Sequence, residues 1–312
     1  SYTVDTLGRY FERALAERRD DGTPDLYTTH GLLLSDSDIP EYAEEMIAPY
    51  IGDAALLGQR TAEMHIALAG SDADQAFSRQ SFTSLYQRSI YQSMRSQAKR
   101  SLELLRKSTS SIPSDARPVA NQVLDAESSL IKLFEALRKR KLSAARIRTH
   151  GDFHLGQLLF TGKDFVIMDF EGEPTRSISE RRLKRSPLRD VAGMLRSFHY
   201  AVAMARSRMI TSDSGTSPAT NPEDQERLEH WGRYWYAWVS AVYLKSYLAT
   251  CDKDTFLPKT QEELKMLLDA YLLEKAIYEV VYELNNRPQW VRIPLEGILS
   301  LLETGEDGSA RA

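Results

Sequence analysis

One stretch constrains this chain more than any other: His150-Gly-Asp-Phe-His-Leu-Gly-Gln157, with Asp169-Phe-Glu171 shortly after it. Between the two lie short apolar runs at 158–160 and 165–168, split by Thr161-Gly-Lys-Asp164. Apolar runs of this length joined by a glycine-containing polar turn predict a β-hairpin. The hairpin, within 147–171, carries one acidic loop at its entry and another at its exit. A tight turn then brings Asp152, Gln157 and Asp169 into one neighbourhood despite their separation in sequence.

That set of groups suits phosphoryl transfer. One carboxylate, Asp152, orients an attacking hydroxyl and accepts its proton. A side-chain amide, Gln157, and a second carboxylate, Asp169, hold Mg²⁺ on the phosphates of ATP. The step Asp-x-x-x-x-Gln parallels the Asp-x-x-x-x-Asn of the kinase catalytic loop, and Asp-Phe-Glu stands where kinases carry Asp-Phe-Gly.

Two other readings use the same residues. His150, Asp152 and His154 alternate, so on a strand they would share a face as ligands of a hydrolytic metal. Glycines at 151 and 156 favour a loop over a strand, and this reading leaves Gln157 without a role. The plainest alternative is a polar loop with a structural Asp and His.

At these residues the chain resembles the aminoglycoside-phosphotransferase-like small-molecule kinases, and within them the bacterial maltokinases. The form His-Gly-Asp-x-His-x-Gly-Gln, with Gln where Asn is commoner, is similar to that branch. So are Met168-Asp-Phe-Glu-Gly-Glu-Pro-Thr-Arg176 and Arg185-Ser-Pro-Leu-Arg-Asp-Val-Ala-Gly-Met-Leu-Arg196. The resemblance runs from about residue 2 to about residue 302. It implies a mainly α (α+β) fold like a protein-kinase C-terminal lobe over 1–304: a helical part at 1–141, the catalytic hairpin, and a helical sugar-binding part at 190–304. The implied activity is transfer of the γ-phosphoryl of ATP to the anomeric hydroxyl of maltose. Asp152 would be the base, Gln157, Asp169 and Glu171 the metal site, and His150 and His154 would shape the loop.

A second resemblance lies near the C-terminus. Tyr271, Lys275, Tyr278 and Tyr282 recur at i, i+4, i+7 and i+11, on one face of a helix over 261–285. Periodicity alone favours half-buried tyrosines over a binding wall. However, Glu274-Lys-Ala-x-Tyr-Glu-Val-x-Tyr282, with Arg287-Pro-x-Trp290, resembles the maltokinase stretch that supplies the sugar pocket. That implies sugar contacts from Lys275, Tyr278 and Tyr282.

The remaining sequence reads mostly as amphipathic helix, at 6–19, 52–69, 77–107, 117–141, 191–206 and 223–250. His65 reads as a core or supporting histidine, and Asp190 as the N-cap of the helix that follows it. The basic run Arg138-Lys-Arg-Lys141 reads as helix C-terminal cations. Six basic residues between 175 and 189 suit either a phosphate or substrate cradle or a solvated loop. The segments 211–222 and 305–312 read as a flexible loop and tail.

A net charge of −4 gives no attraction to nucleic acid or anionic membranes. No stretch reaches the roughly 20 apolar residues of a membrane span. The single cysteine, Cys251, fits a reducing, cytoplasmic setting. No glycine-rich phosphate loop or Val/Ile-rich strand run precedes the first helix. The chain therefore reads as a kinase C-terminal lobe without its N-terminal β lobe and inactive by itself. It could belong to a maltokinase fused behind a trehalose synthase. A kinase for another sugar or aminosugar, or a non-catalytic glucan-binding accessory domain, are the alternatives.

Overall fold

The computed structural model describes residues 2–17, 31–70, 75–174, 176–210, 221–251 and 256–307, with 304–307 by backbone only. Its helices are α1 (Tyr2–Ala16), α2 (Gly31–Leu34), α3 (Glu41–Ile47), α4 (Tyr50–Leu68), α5 (Ser84–Ser108), α6 (Arg117–Asp125), α7 (Glu127–Lys139), α8 (Ile178–Arg181), α9 (Leu188–Ile210), α10 (Pro222–Cys251), α11 (Gln261–Asn286) and α12 (Arg292–Asp307). Among the described residues the strands are four and short: β1 (Gln80–Ser81) pairs antiparallel with β2 (Ala145–Arg146), and β3 (Leu158–Phe160) with β4 (Phe165–Ile167). This is the mainly helical fold with a small hairpin that the sequence predicts. No described helix is long and apolar enough to cross a membrane.

Three expectations are corrected in detail. The helix expected from 77 starts only at Ser84, where Thr83 caps it by accepting from Tyr86 N at 3.2 Å. The residues before it include β1, which a two-residue pairing leaves without a periodic signal. The helix expected over 117–141 is two, broken at Ala126. α12 continues to Asp307, into the segment read as a tail, while 18–30, most of the 211–222 loop and 308–312 lie outside the described residues.

The chain divides into two compact units that interleave in sequence. The first comprises 1–64, 154–168 and 197–252. Its core is aromatic: Tyr10 and Phe11 of α1 and Trp231 and Trp235 of α10 are buried, and Tyr10 Oη donates to Trp231 O at 2.9 Å. α4 runs close to α10 because residue 58 is glycine; a Cβ there would collide with the Tyr243 carbonyl. The hairpin is tied down by Arg60, whose Nε and Nη2 donate to both carboxylate oxygens of Asp164 at 2.8 and 3.1 Å. Phe160 stacks on Tyr2 with ring centres 4.1 Å apart, and Tyr2 Oη donates to Asp53.

The second unit comprises 65–153, 169–196 and 253–312. α11 packs on α5, α7 and α12, and α12 on α6. A buried ion pair fastens α9 to α11, with Arg196 Nε and Nη2 at 2.9 and 2.8 Å from Glu279 Oε2. Gln87 closes the C-terminal end of α7: its amide donates to Leu137 O and Arg140 O, both at 2.9 Å. The basic run thus sits at a helix C-terminus, where the end of the helix dipole favours cations.

Candidate active site

The loop that carries Asp152 is held from both ends. Upstream, β2 pairs with β1, and Ile147 exchanges both backbone hydrogen bonds with Arg185 at 2.9 Å. Downstream, Asp190 in the first turn of α9 takes over. Its Oδ2 accepts from His150 N at 2.7 Å and its Oδ1 from Gly151 N at 3.0 Å. His65 Nε2, fully buried on α4, lies 3.2 Å from Asp190 Oδ2. Burial alone would raise the Asp190 carboxyl, but His65 and the Gly151 amide outweigh it and hold it below the usual carboxylate range.

Asp190 is therefore not the helix cap that its sequence position suggests. α9 begins at Leu188, and the carboxylate is spent on the neighbouring loop. The sequence carries one hint of the close contact: Gly193 interrupts the apolar stretch Val191 to Leu195, and glycine disfavours a helix interior. His65 acts through Asp190, in keeping with a supporting role.

The Asp169 loop packs directly on the Asp152 loop. Gly151 and Gly172 both have positive φ, 89° and 76°. A Cβ at Gly151 would touch Gly172 Cα at 3.4 Å, and one at Gly172 would lie 3.6 Å from His150 O. The His150 ring sits 4.9 Å from Phe170 and 5.3 Å from Phe153. Asp169 itself has φ 62°, a left-handed conformation uncommon outside glycine. Asp169 and Glu171 are exposed.

In the other unit, Gln157 ends a short 3₁₀ turn at the head of the hairpin, and its carbonyl accepts from Met168 N at 2.9 Å. His154 shapes that turn, its Nδ1 accepting from Gly156 N at 3.0 Å. Leu159 and Val166, a cross-strand pair, are exposed, and so is Met168.

Asp152 borders an open cleft lined also by Gln97, Glu173, Arg176, Arg189, Glu274 and, from α11, Tyr271, Lys275 and Tyr278. Lys275 Nζ lies 5.1 Å from the centre of the Tyr278 ring. Tyr282 is not among the lining residues: it is 43% exposed, with Arg287 over its ring at 5.3 Å. Of the basic run after 175, Arg176 and Arg189 reach the cleft, while Lys184 is buried and donates to Gln75 O and Ser78 O. Glu173 and Glu274 also line it, and neither was given a role from the sequence, whereas Arg176 and Arg189 belong to the basic run read as a cradle or a solvated loop.

A metal reading of the histidines finds no support in this geometry. The buried His150 ring packs between two phenylalanines, and among the described residues no three His, Cys, Asp or Glu side chains are grouped to hold a metal ion. Asp169 and Glu171 are carboxylates, the donor type that Mg²⁺ takes together with phosphate oxygens and water.

The chain aligns over 92% of its length with a glucosamine kinase solved in complex with glucosamine, ADP and inorganic phosphate (TM-score 0.66, 21% identity, 62% of that chain). A second glucosamine kinase structure, crystal form A, gives a TM-score of 0.65 at 22% identity, covering 92% of this chain and 60% of that one. The fold is that of these kinases. In sequence, half of the chain matches the glucosamine kinases of Streptacidiphilus jiangxiensis (26% identical over 159 residues) and Mycolicibacterium smegmatis (28% over 158). Those alignments span 32% and 34% of the relatives' own length. No family model matches the chain.

Proposed function

We propose that these residues form the acceptor site and catalytic loop of an ATP-dependent sugar kinase. The observation that carries this reading is the cleft itself: Asp152 shares it with the Lys275 and Tyr278 wall of α11. A half-buried tyrosine beside a lysine can stack on a sugar face and hydrogen-bond its hydroxyls. In the reaction, the acceptor hydroxyl oxygen forms a bond to the γ-phosphorus of ATP. The bond from that phosphorus to the β,γ-bridging oxygen breaks, ADP leaves, and the hydroxyl proton passes to Asp152. The backbone grip of Asp190 keeps Asp152 in place for this step.

Asp169 and Glu171 would hold Mg²⁺. When bound, the ion neutralises charge on the phosphates. The activity is proposed for the whole protein to which these residues belong.

Within this class we favour maltose, phosphorylated at its anomeric hydroxyl. What supports it is the stretch that carries Lys275 and Tyr278, both lining the cleft, which resembles the maltokinase segment that supplies sugar contacts. Glucosamine is the second reading, favoured by the relatives that match in sequence. Coupled ADP-release assays with maltose and glucosamine side by side separate the two. A kcat/KM at least about tenfold higher for maltose, about 1.4 kcal/mol of transition-state discrimination, supports the first reading. The reverse ranking replaces it with the second.

A further inference from the structure

We propose that Arg176, with Arg189 beside it, forms an anion subsite in the cleft that takes the phosphate group of a phosphate monoester. The identity of that anion rests on the phosphotransfer reading: it is the phosphorylated sugar that transfer at Asp152 would release.

Four observations converge on Arg176. It lines the same cleft as Asp152 and is half-buried there. Among the described residues its guanidinium makes no hydrogen bond and no ion pair. A guanidinium has five N–H donors and no other way to satisfy them than an acceptor from solution. The turn that carries it is built and anchored: Arg176 N donates to Glu173 O at 3.0 Å, and Arg181 Nε donates to Arg176 O at 2.9 Å. Ser177 and Glu180 then close α8 with a reciprocal capping box. The side chain is therefore placed in the cleft by its backbone rather than by a protein partner.

Arg189 completes the pair. Its nearest carboxylate, Glu274, is 3.8 Å from Nε, well beyond the 2.7–2.9 Å of a charge-assisted hydrogen bond. Two guanidiniums close together repel each other. Burial and this neighbour both work against the charge on Arg176. A dianion between them removes the repulsion and accepts from both planar forks. Asp152 and Glu173 border the same cleft, so an anion is favoured only beside the arginines. The same carboxylates push a bound phosphate outward, which limits how tightly product is held.

Calorimetry on the full chain with three probes tests this: inorganic phosphate, maltose 1-phosphate and unphosphorylated maltose. Arg176→Gln should weaken both phosphate probes by at least about tenfold, the scale of one charge-assisted hydrogen bond. Maltose affinity should not change. Arg176→Lys should recover part of the loss, and Arg182→Gln, a change at an exposed arginine, none of the effect. Stronger binding of maltose 1-phosphate than of inorganic phosphate identifies the sugar ester as the ligand. Phosphate binding lost in Arg176→Gln, with maltose never binding, keeps the anion subsite and removes maltose as acceptor. Equal phosphate affinity in wild type and Arg176→Gln, or no phosphate binding in wild type, overturns the proposal. So does an Arg176→Gln variant that loses maltose to the same degree as phosphate.

Discussion

Phe153 O lies against Gly193: a Cβ built at residue 193 would come within 2.6 Å of that oxygen. The first turns of α9 therefore press flush on the loop that carries Asp152. Asp190 grips the two amides at one end of the contact, and Gly193 allows close approach at the other. Glycine is tolerated inside this helix, at roughly 1 kcal/mol relative to alanine, because nothing larger fits.

Gly193→Ala should thus push the loop away rather than stabilise the helix. We expect kcat to fall by roughly a hundredfold, the effect of about 1 Å of misplacement in a reacting group. Circular dichroism should remain helical. An unchanged kcat would mean that the contact does not position Asp152.

Asp190→Asn removes the charge that holds His150 N and Gly151 N. At neutral pH it should cost about 1–3 kcal/mol, the penalty for weakening buried hydrogen bonds to a charged acceptor. The folded carboxyl sits below its unfolded value, so its contribution is complete above the unfolded pKa of about 4 and is lost as pH falls through the lower folded value. Urea melts of both proteins should therefore converge as pH drops below about 4. A gap that stays constant down to that range would assign the loss to shape, not charge.

Tyr278 and Tyr282 are one helical turn apart, but only Tyr278 lines the cleft. Tyr278→Ala should raise the acceptor KM by about five- to thirtyfold, corresponding to 1–2 kcal/mol, and leave the ATP KM alone. Tyr282→Ala should change neither. Equal effects on both KM values, accompanied by a lower Tm, would make Tyr278 a packing residue.

Much of this arrangement was legible in the chain. The hairpin could be read because two apolar runs and a Thr-Gly-Lys-Asp turn leave few other pairings, and the observed register keeps that turn. The α11 stripe was visible as periodicity, although periodicity could not say that the face turns outward by Tyr282. What escaped were groups whose role depends on contacts distant in sequence. Asp190 meets residues forty positions earlier, so local reading gave it to its own helix. Arg176 and Arg189 sat in a basic run whose members differ only in where the fold sends them. Lys184, five residues from Arg189, is buried on backbone oxygens instead. The two-residue pairing of β1 with β2 is likewise set by a partner more than sixty residues away.

The central claim is that Asp152 accepts the proton of the acceptor hydroxyl, and the most direct measurement is the single-turnover rate of Asp152→Asn in the whole enzyme. The amide keeps the size of the side chain and removes its basicity. The account predicts a rate about 10²–10⁴ lower, the usual scale of general-base catalysis, with acceptor affinity unchanged by calorimetry. A rate within about threefold of wild type, far short of that scale, would contradict it and remove Asp152 from the chemistry.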